Sequence, residues 1–581
     1  MRRDSFVAVL ARARNPAPLA ATGLAPRLAL DATGSRPGLA FHGAAAGPVL
    51  ILPHGLGIVW GRLFDCSGAM LRQVPEPTAR AWVTSGGALL VDRFWGSYVA
   101  LLAAEDRVIA LRDPSGALPC YIATAEQGVV LASDARRAQD AGATGLAIDW
   151  TEVLSELQFV GRRTARTALA GITELLPGTA LSVTQEHLQV DTLWSPYRFA
   201  AGWRDPPAFE EARRRVREAI ALSVRGLTTD HHRPLSELSG GVDSSVVTAA
   251  LHLARRDARC VTVRGGDADL DETGYARKVA QHFGFPWRSV TLDRQAVDLR
   301  RSDAAALPRP SARAFAQAVD RASLAAAAEM GCDAFVSGGG GDNVLWYFQT
   351  VAPALDRLQC EGVGGFLATL NELAWMTGAS RADALRHVVR RWLRRRPRPW
   401  PHDVSLLAPD VRTLEPMPAH PWLPAPPGTL PGVQAYARLL VLMQGHFEWV
   451  ARAETAPVLA PLLAQPVVET CLAVPSWLWC RDGQNRAVAR AAFRDLLPAA
   501  ILARGTKGGF DGFSHGLFVH NRDLVRDLLL GGCLAEQRLL DLPAIEALLG
   551  NEARISNLLA NRLLRLVSVE AWLRSWSGRL G

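Results

Sequence analysis

One run of eight residues, Leu238-Ser-Gly-Gly-Val-Asp-Ser-Ser245, narrows the architectures open to this chain more than anything else in it. Two glycines and a set of hydroxyl residues precede Val246, Val247, Ala250, Leu251 and Ala254, which recur at helical spacing on one side. The pattern describes a tight loop opening directly into a helix. Backbone N–H groups and serine hydroxyls gathered at a helix start make a cradle for an oxyanion, and the helix dipole favours negative charge there. It is not a Walker A loop, because G-x-x-x-x-G-K-[ST] needs a lysine. Of 64 Lys and Arg residues only Lys278 and Lys507 are lysines, and neither follows the glycines. A Ser/Gly turn with an Asp cap accounts for two or three of these residues but not for the run. The segment in front, Arg233-Pro-Leu-Ser-Glu-Leu238, should be the strand that feeds the loop, and its polarity predicts an edge or surface position.

The string Ser239-Gly-Gly-Val-Asp-Ser244 resembles the pyrophosphate loop, S-G-G-x-D-S, of the ATP pyrophosphatase superfamily, and in particular of the asparagine synthetase family. The resemblance implies that Ser239, Gly240, Gly241, Asp243, Ser244 and Ser245 grip the β,γ-phosphates of ATP, with Asp243 a Mg²⁺ ligand. About 100 residues on, Ala334-Phe-Val-Ser337-Gly-Gly-Gly-Gly-Asp342-Asn-Val344 reads as an apolar strand ending in a glycine-rich loop with one carboxylate. Taken alone this is a flexible loop as readily as a site. Mg²⁺ prefers a few carboxylates with phosphate oxygens and water, so two Asp at the ends of neighbouring strands suit a metal–nucleotide complex. The order of loop, helix, strand Cys260-Val-Thr-Val263, Asp271-Glu272, Tyr275-Ala276 and second loop is similar to the asparagine synthetase domain element by element. Asp342 is accordingly expected as the second metal ligand, with Ser337 and Gly338 against the nucleotide. Arg504-Gly-Thr-Lys507-Gly-Gly-Phe510 resembles the family's R-x-x-K-x-x-F stretch, which implies that Arg504 and Lys507 stabilise the charge that develops during reaction. A chain with 62 arginines and two lysines keeps a lysine where a compact ammonium is needed. Lys278 is expected to be an exposed helix residue.

At 581 residues, 49% of them hydrophobic, the chain can build two or more cores. No stretch approaches the roughly 18 apolar residues of a membrane span. Eight cysteines lie scattered, without a C-x-x-C pair, which fits reduced thiols and a cytoplasmic protein. The net charge of +8 is spread along the length and predicts no nucleic-acid partner. Its one dense cluster, residues 386–398, is either a solvated helix face or a dock for an acidic partner. Short apolar runs at 48–52, 88–91, 108–111 and 129–131 between turn residues predict strands up to about residue 200. An amphipathic helix over 209–224 then opens an α/β pattern, and a Pro-rich stretch, 397–431, is expected to separate this α/β unit from a largely helical C-terminal part.

Phe94-Trp-Gly-Ser-Tyr, Arg112-Asp-Pro-Ser-Gly116-Ala-Leu-Pro-Cys-Tyr121, Ala132-Ser-Asp134 and Leu176-Pro-Gly-Thr179 resemble the glutaminase domain of the same family. The resemblance implies an α/β fold in two parts. Residues 1–204 form a glutaminase-like Ntn-type β-sandwich, and residues 205–581 a synthetase domain with a parallel sheet flanked by helices. Glutaminase chemistry needs a cysteine at the mature N-terminus. This chain begins Met-Arg-Arg-Asp-Ser, and its first cysteine is Cys66, so the domain is expected to be a scaffold without glutaminase activity.

Some amine other than ammonia from glutamine must then be acylated. Gly339 stands where β-lactam synthetases carry Tyr and asparagine synthetases Glu. Gly-Gly-Asp-Asn-Val344, Pro461-Leu-Leu-Ala-Gln-Pro466-Val-Val-Glu469 and the pair Arg486 and Arg490 look like the lasso peptide cyclase branch, while 459–464 departs from the aspartate-accepting R-V-P-F-L-D. The implied partners are a precursor peptide, whose amine is joined to an Asp or Glu side chain, and a leader-processing peptidase. A β-lactam synthetase-like or glutamine-independent asparagine synthetase-like ligase is the alternative, and a non-catalytic nucleotide-binding scaffold the rival from another class. Glu372 stands near a position for a base, or is simply a solvated helix residue. Lys507→Arg should abolish turnover while ATP binding is largely kept; assays of both on the purified variant check this, and an active variant would refute the role given to that ammonium.

Overall fold

The strand Val108–Arg112 is buried at every position, which a sheet with one wet face cannot produce. Successive side chains of a strand point to opposite faces, and here the two faces enter different cores: Val108 and Ala110 join one, Ile109 and Leu111 the other. The computed structural model describes residues 4–11, 23–265, 272–310, 313, 315–347, 350–393, 400–413, 419–446, 448, 450–505, 508–550 and 555–580.

Two six-stranded antiparallel sheets make up the N-terminal half. The first runs, in spatial order, Ile172–Glu174, Tyr121–Ala125, Gly128–Ala132, Phe6–Ala11, Gly38–Gly43, Ala25–Leu30. The second runs Leu188–Thr192, Thr179–Val183, Val108–Arg112, Trp95–Ala103, Gly57–Phe64, Val49–Ile51. Their inner faces pack into a sandwich, with Phe41 against Trp60 at 5.6 Å between ring centroids. The outer face of the second sheet is covered in turn by helices of the C-terminal half, including Phe209–Leu227. One expected strand is a helix: at 88–91 the chain turns through Gly87, in the left-handed region at φ 89°, and coils as Ala88–Arg93 so that Leu90 and Val91 reach the core.

The C-terminal half is built on a five-stranded parallel sheet in the order Trp287–Thr291, Arg259–Arg264, Pro234–Glu237, Ala334–Ser337, Val458–Leu459. The helices Val242–Leu253, Thr273–Phe283 and Ala316–Met330 alternate with these strands along the chain. The strand Pro234–Glu237 is therefore central rather than at an edge. Its polar residues are satisfied inside: Ser236 Oγ lies 2.9 Å from Thr248 Oγ1, and Glu237 pairs with Arg452 at 2.7 Å. The helical end is also not separate from the α/β unit, since Val458–Leu459 supplies its fifth strand.

A buried charge cluster ties the halves together. Arg112 and Arg163 both reach Glu174 and Glu448, at 2.6 to 3.1 Å. Burial opposes the charge of Glu174, yet Arg163, Arg112 and Arg309 together hold its carboxyl down at about 2. Another buried carboxyl, Asp356, accepts hydrogen bonds from Gly432 N at 2.9 Å and from the Ser476 hydroxyl. Burial outweighs both and pushes Asp356 up to about 7. In the unfolded chain this group ionises near about pH 4, so its contribution to stability should fall as pH rises from about 4 to about 7 and stay level above. Thermal midpoints of the wild type minus those of Asp356→Asn should trace that descent, and parallel pH profiles would contradict it.

Candidate active site

Order along the sheet reverses at Pro234–Glu237: the chain first moves outward to Trp287–Thr291, then returns to lay Ala334–Ser337 on the other side. A crevice opens outside the carboxyl ends of the strands at such a reversal. Glu237 is opposite Ser337 in the parallel register, so both loops leave the sheet at one level. The first loop holds itself closed: Ser239 N and Oγ lie 3.2 and 3.1 Å from Ser244 Oγ, and Gly241 N donates to Ser239 Oγ at 3.3 Å. Gly240 has φ 72°, and a Cβ there would lie 2.6 Å from Ala276 N. A Cβ at Gly341 would lie 2.5 Å from Asp243 Cγ, so the glycine lets the second loop close on the first and sets Asp342 beside Asp243.

The helix Val242–Leu253 is buried from Val242 to Leu251 on all sides, not on the one face its spacing suggested. It lies between the sheet and the helices Phe209–Leu227 and Thr273–Phe283. Its N-terminus faces a polar cavity of about 410 Å³, lined by Ser239, Gly241, Asp243, Ser244, Ser337, Gly338 and Asp342 together with Arg313, His446, Arg486, Arg490 and Arg504. Ser245 does not reach it: one residue further round the helix, it is turned into the core and fully buried. Gly240 likewise shapes the loop without lining the cavity. A second cavity, of about 310 Å³, adjoins the first through Glu237, Ser239, Ser337, Arg313 and His446. Its walls are apolar, among them Leu238, Val261, Val263, Phe513 and the stacked pair Phe315 and Phe510, 5.1 Å apart. One chamber thus suits a flat apolar base, and the other a polyanion.

Arg486 joins the two expected metal ligands. Its Nη2 donates to Asp243 Oδ2 at 2.9 Å and also to Asp342 Oδ1. Two carboxylates that converge on one cationic group have the spacing and charge for a single divalent ion, which leaves its remaining positions to phosphate and water. Among the described residues no cluster of three or more His, Cys, Asp or Glu could hold a metal. Arg504 lines the polar cavity, pairs with Glu272 and lies over the Tyr275 ring at 4.5 Å. Glu272 also accepts from Gly508 N at 2.8 Å, and so grips the chain on both sides of Lys507. Lys507 itself lies outside the described residues, as do Asp271 and residues 394–398 of the arginine cluster. Arg490 Nη1 and Nη2 donate to the carbonyls of Leu502 and Arg504, at 2.7 and 2.8 Å, which fixes the start of the same stretch.

Lys278 is exposed on its helix, as expected. Glu372 accepts from Gly483 N at 2.8 Å, which anchors the turn leading to Arg486 and leaves its carboxylate outside the cavity lining. Glu237, Arg313 and His446, which join the two chambers, were missed by sequence reasoning. Only Glu237 left a signal there, as the misplaced polarity of a central strand. Burial, and then the neighbouring Arg313 and Arg452, lower His446 to about 3, so it stands neutral near pH 7 and its Nε2 accepts from Arg313 at 3.2 Å.

No curated protein matches the chain. Among solved structures it is similar to glutamine phosphoribosylpyrophosphate amidotransferase from B. subtilis complexed with ADP and GMP, at 12% identity and a TM-score of 0.21 over 49% of this chain and 65% of that one. It is similar also to the allosteric regulatory enzyme of purine biosynthesis, at 10% identity and 0.19 over 44% and 66%. The chain spans just under two-thirds of each, and at these scores neither likeness bears on function. The family model for asparagine synthase matches residues 215–574, a span that holds both loops, both chambers and the Arg486 turn. With more than half of its length so matched, the chain belongs to the asparagine synthase family.

Proposed function

We propose that this protein closes a macrolactam in a peptide, in the manner of lasso peptide cyclases, at the expense of ATP. The observation that carries the ligase part is the pair of interlocked loops at the carboxyl ends of adjacent strands, with Asp243 and Asp342 converging beside an apolar chamber. Leu238, Val261, Phe315 and Phe510 would enclose the base, and the N–H groups at the start of Val242–Leu253 would take the phosphates. Asp243 and Asp342 would hold Mg²⁺, which when bound neutralises phosphate charge. A substrate side-chain carboxylate attacks the α-phosphorus and pyrophosphate leaves; the peptide's own amine then attacks the acyl carbon and AMP leaves. Arg504 and Lys507 stabilise the charge that develops in both steps. Holding amine and acyl group in one chain removes the entropic cost of bringing them together.

The choice of a peptide acceptor rests on what surrounds the loops. Leu459 and Ala464, which stand where R-V-P-F-L-D has its Arg and its Asp, are buried, and between them Pro461 and Leu462 are buried and Leu463 packs against Gly340. Trp375, 69% exposed, sits over Gly483 on the turn to Arg486. An uncharged 459–464 stretch and an exposed aromatic on that turn support an extended, partly apolar substrate over a free amino acid. Residues 1–204 serve as scaffold, and a leader-processing peptidase supplies the free amine.

Incubation with ATP, Mg²⁺ and a peptide with a free N-terminus and an internal Asp or Glu should yield a product lighter by one water, with one AMP and one pyrophosphate per ring. Release of ADP, or no substrate-dependent nucleotide turnover, would sink the reading; a ring closed only in a small amino acid derivative would move the protein to the β-lactam branch. Glu272→Gln should loosen the 504–508 stretch and lower kcat/KM about tenfold or more, the scale of a lost partly buried charged contact. Steady-state pyrophosphate release measures it, and an unchanged kcat/KM would leave Glu272 no part in holding that stretch.

A further inference from the structure

The guanidinium of Arg486 occupies the place where the metal reading puts a divalent ion. Its Nη2 donates to both carboxylates, Nε lies 2.8 Å from Asp243 Oδ1, and the Tyr347 ring covers its Cζ at 4.1 Å. The residue is 5% exposed, and its backbone sits in the left-handed region at φ 53°, a conformation costly for a non-glycine residue and maintained by the turn that Glu372 anchors. A cation so placed competes with an Mg²⁺ ion for the two carboxylates, because two cations a few ångströms apart repel each other. Released from the pair, the guanidinium would turn to the phosphates of a nucleotide in the polar cavity that it lines.

We infer that Arg486 is a built-in counter-cation that closes the Asp243–Asp342 pair to free divalent ions and yields it only when a nucleotide enters. The inference rests on the reading of that pair as the metal site. It makes metal and nucleotide binding mutually dependent, and it keeps two neighbouring carboxylates together in the empty enzyme without a resident metal.

Mn²⁺ binding, followed by electron paramagnetic resonance of the free ion, separates the two ideas. Wild type should bind Mn²⁺ at least tenfold more weakly without nucleotide than with a non-hydrolysable ATP analogue. Arg486→Gln should gain at least tenfold in nucleotide-free Mn²⁺ affinity, Arg486→Lys should not, and adding Asp342→Asn to Arg486→Gln should erase the gain. Should the glutamine variant not fold, Arg486→Met carries the same comparison. No gain in the neutral variants, or a gain that survives Asp342→Asn, overturns the counter-cation role. Failure of wild type to bind Mn²⁺ even with the ATP analogue instead overturns the metal reading beneath it.

Discussion

Everything at the candidate site depends on the parallel pairing of Pro234–Glu237 with Ala334–Ser337. These strands are neighbours in space though about 100 residues apart in the chain, and the order in which the chain adds strands to the sheet reverses between them. Their register puts Glu237 beside Ser337, so that two glycine loops emerge side by side and press on one another. Neither loop would make a site alone. Together they bring two carboxylates within reach of one guanidinium and leave a helix N-terminus facing a polar cavity. A slip of one residue in that pairing would turn the alternate side chains to the other face and part the two aspartates.

The N-terminal half contributes to this geometry from behind. The central strands of its second sheet are buried on both faces, so the sandwich and the C-terminal half cannot come apart without exposing apolar residues from both. Within that contact, Glu448 is held by Arg112 and Arg163, while Arg163 also donates to the Gln444 carbonyl at 3.3 Å. Gln444 and Glu448 flank His446, which lies on the wall shared by the two chambers. Removing one partner from a buried ion pair commonly costs about 3–5 kcal/mol, so residues of the antiparallel half have a direct hold on the wall that the two chambers share.

Where local chemistry decides, the sequence was legible. The tight turn at Gly240, the helix behind it, the strand ending at Ser337 and the strands at 108–112 and 128–132 follow from glycine placement and apolar runs read within a dozen residues. Where a long-range partner decides, it was misread. The run at 88–91 has a strand's composition but coils because Leu90 and Val91 meet a core built by residues far along the chain. The polar strand at 234–237 looked like an edge because Thr248 and Arg452, which satisfy it, are invisible locally. Ser245 read as a phosphate ligand because a motif records spacing, whereas the helix turns about 100° per residue and points that hydroxyl into the core.

The amino-acid sequence by itself determined the parts: a glycine and serine loop opening into a helix, a second loop with one acid, one of two lysines in an arginine-rich chain, and a change from β to α/β near residue 200. The tertiary structure decided how they act on one another. It placed Arg486 on Asp243 across 243 residues of chain and Glu448 on Arg112 across 336, and it set an apolar chamber against a polar one. Contacts of this kind come from the order and register of strands, which are set by packing the whole chain at once, and no window of local sequence contains them.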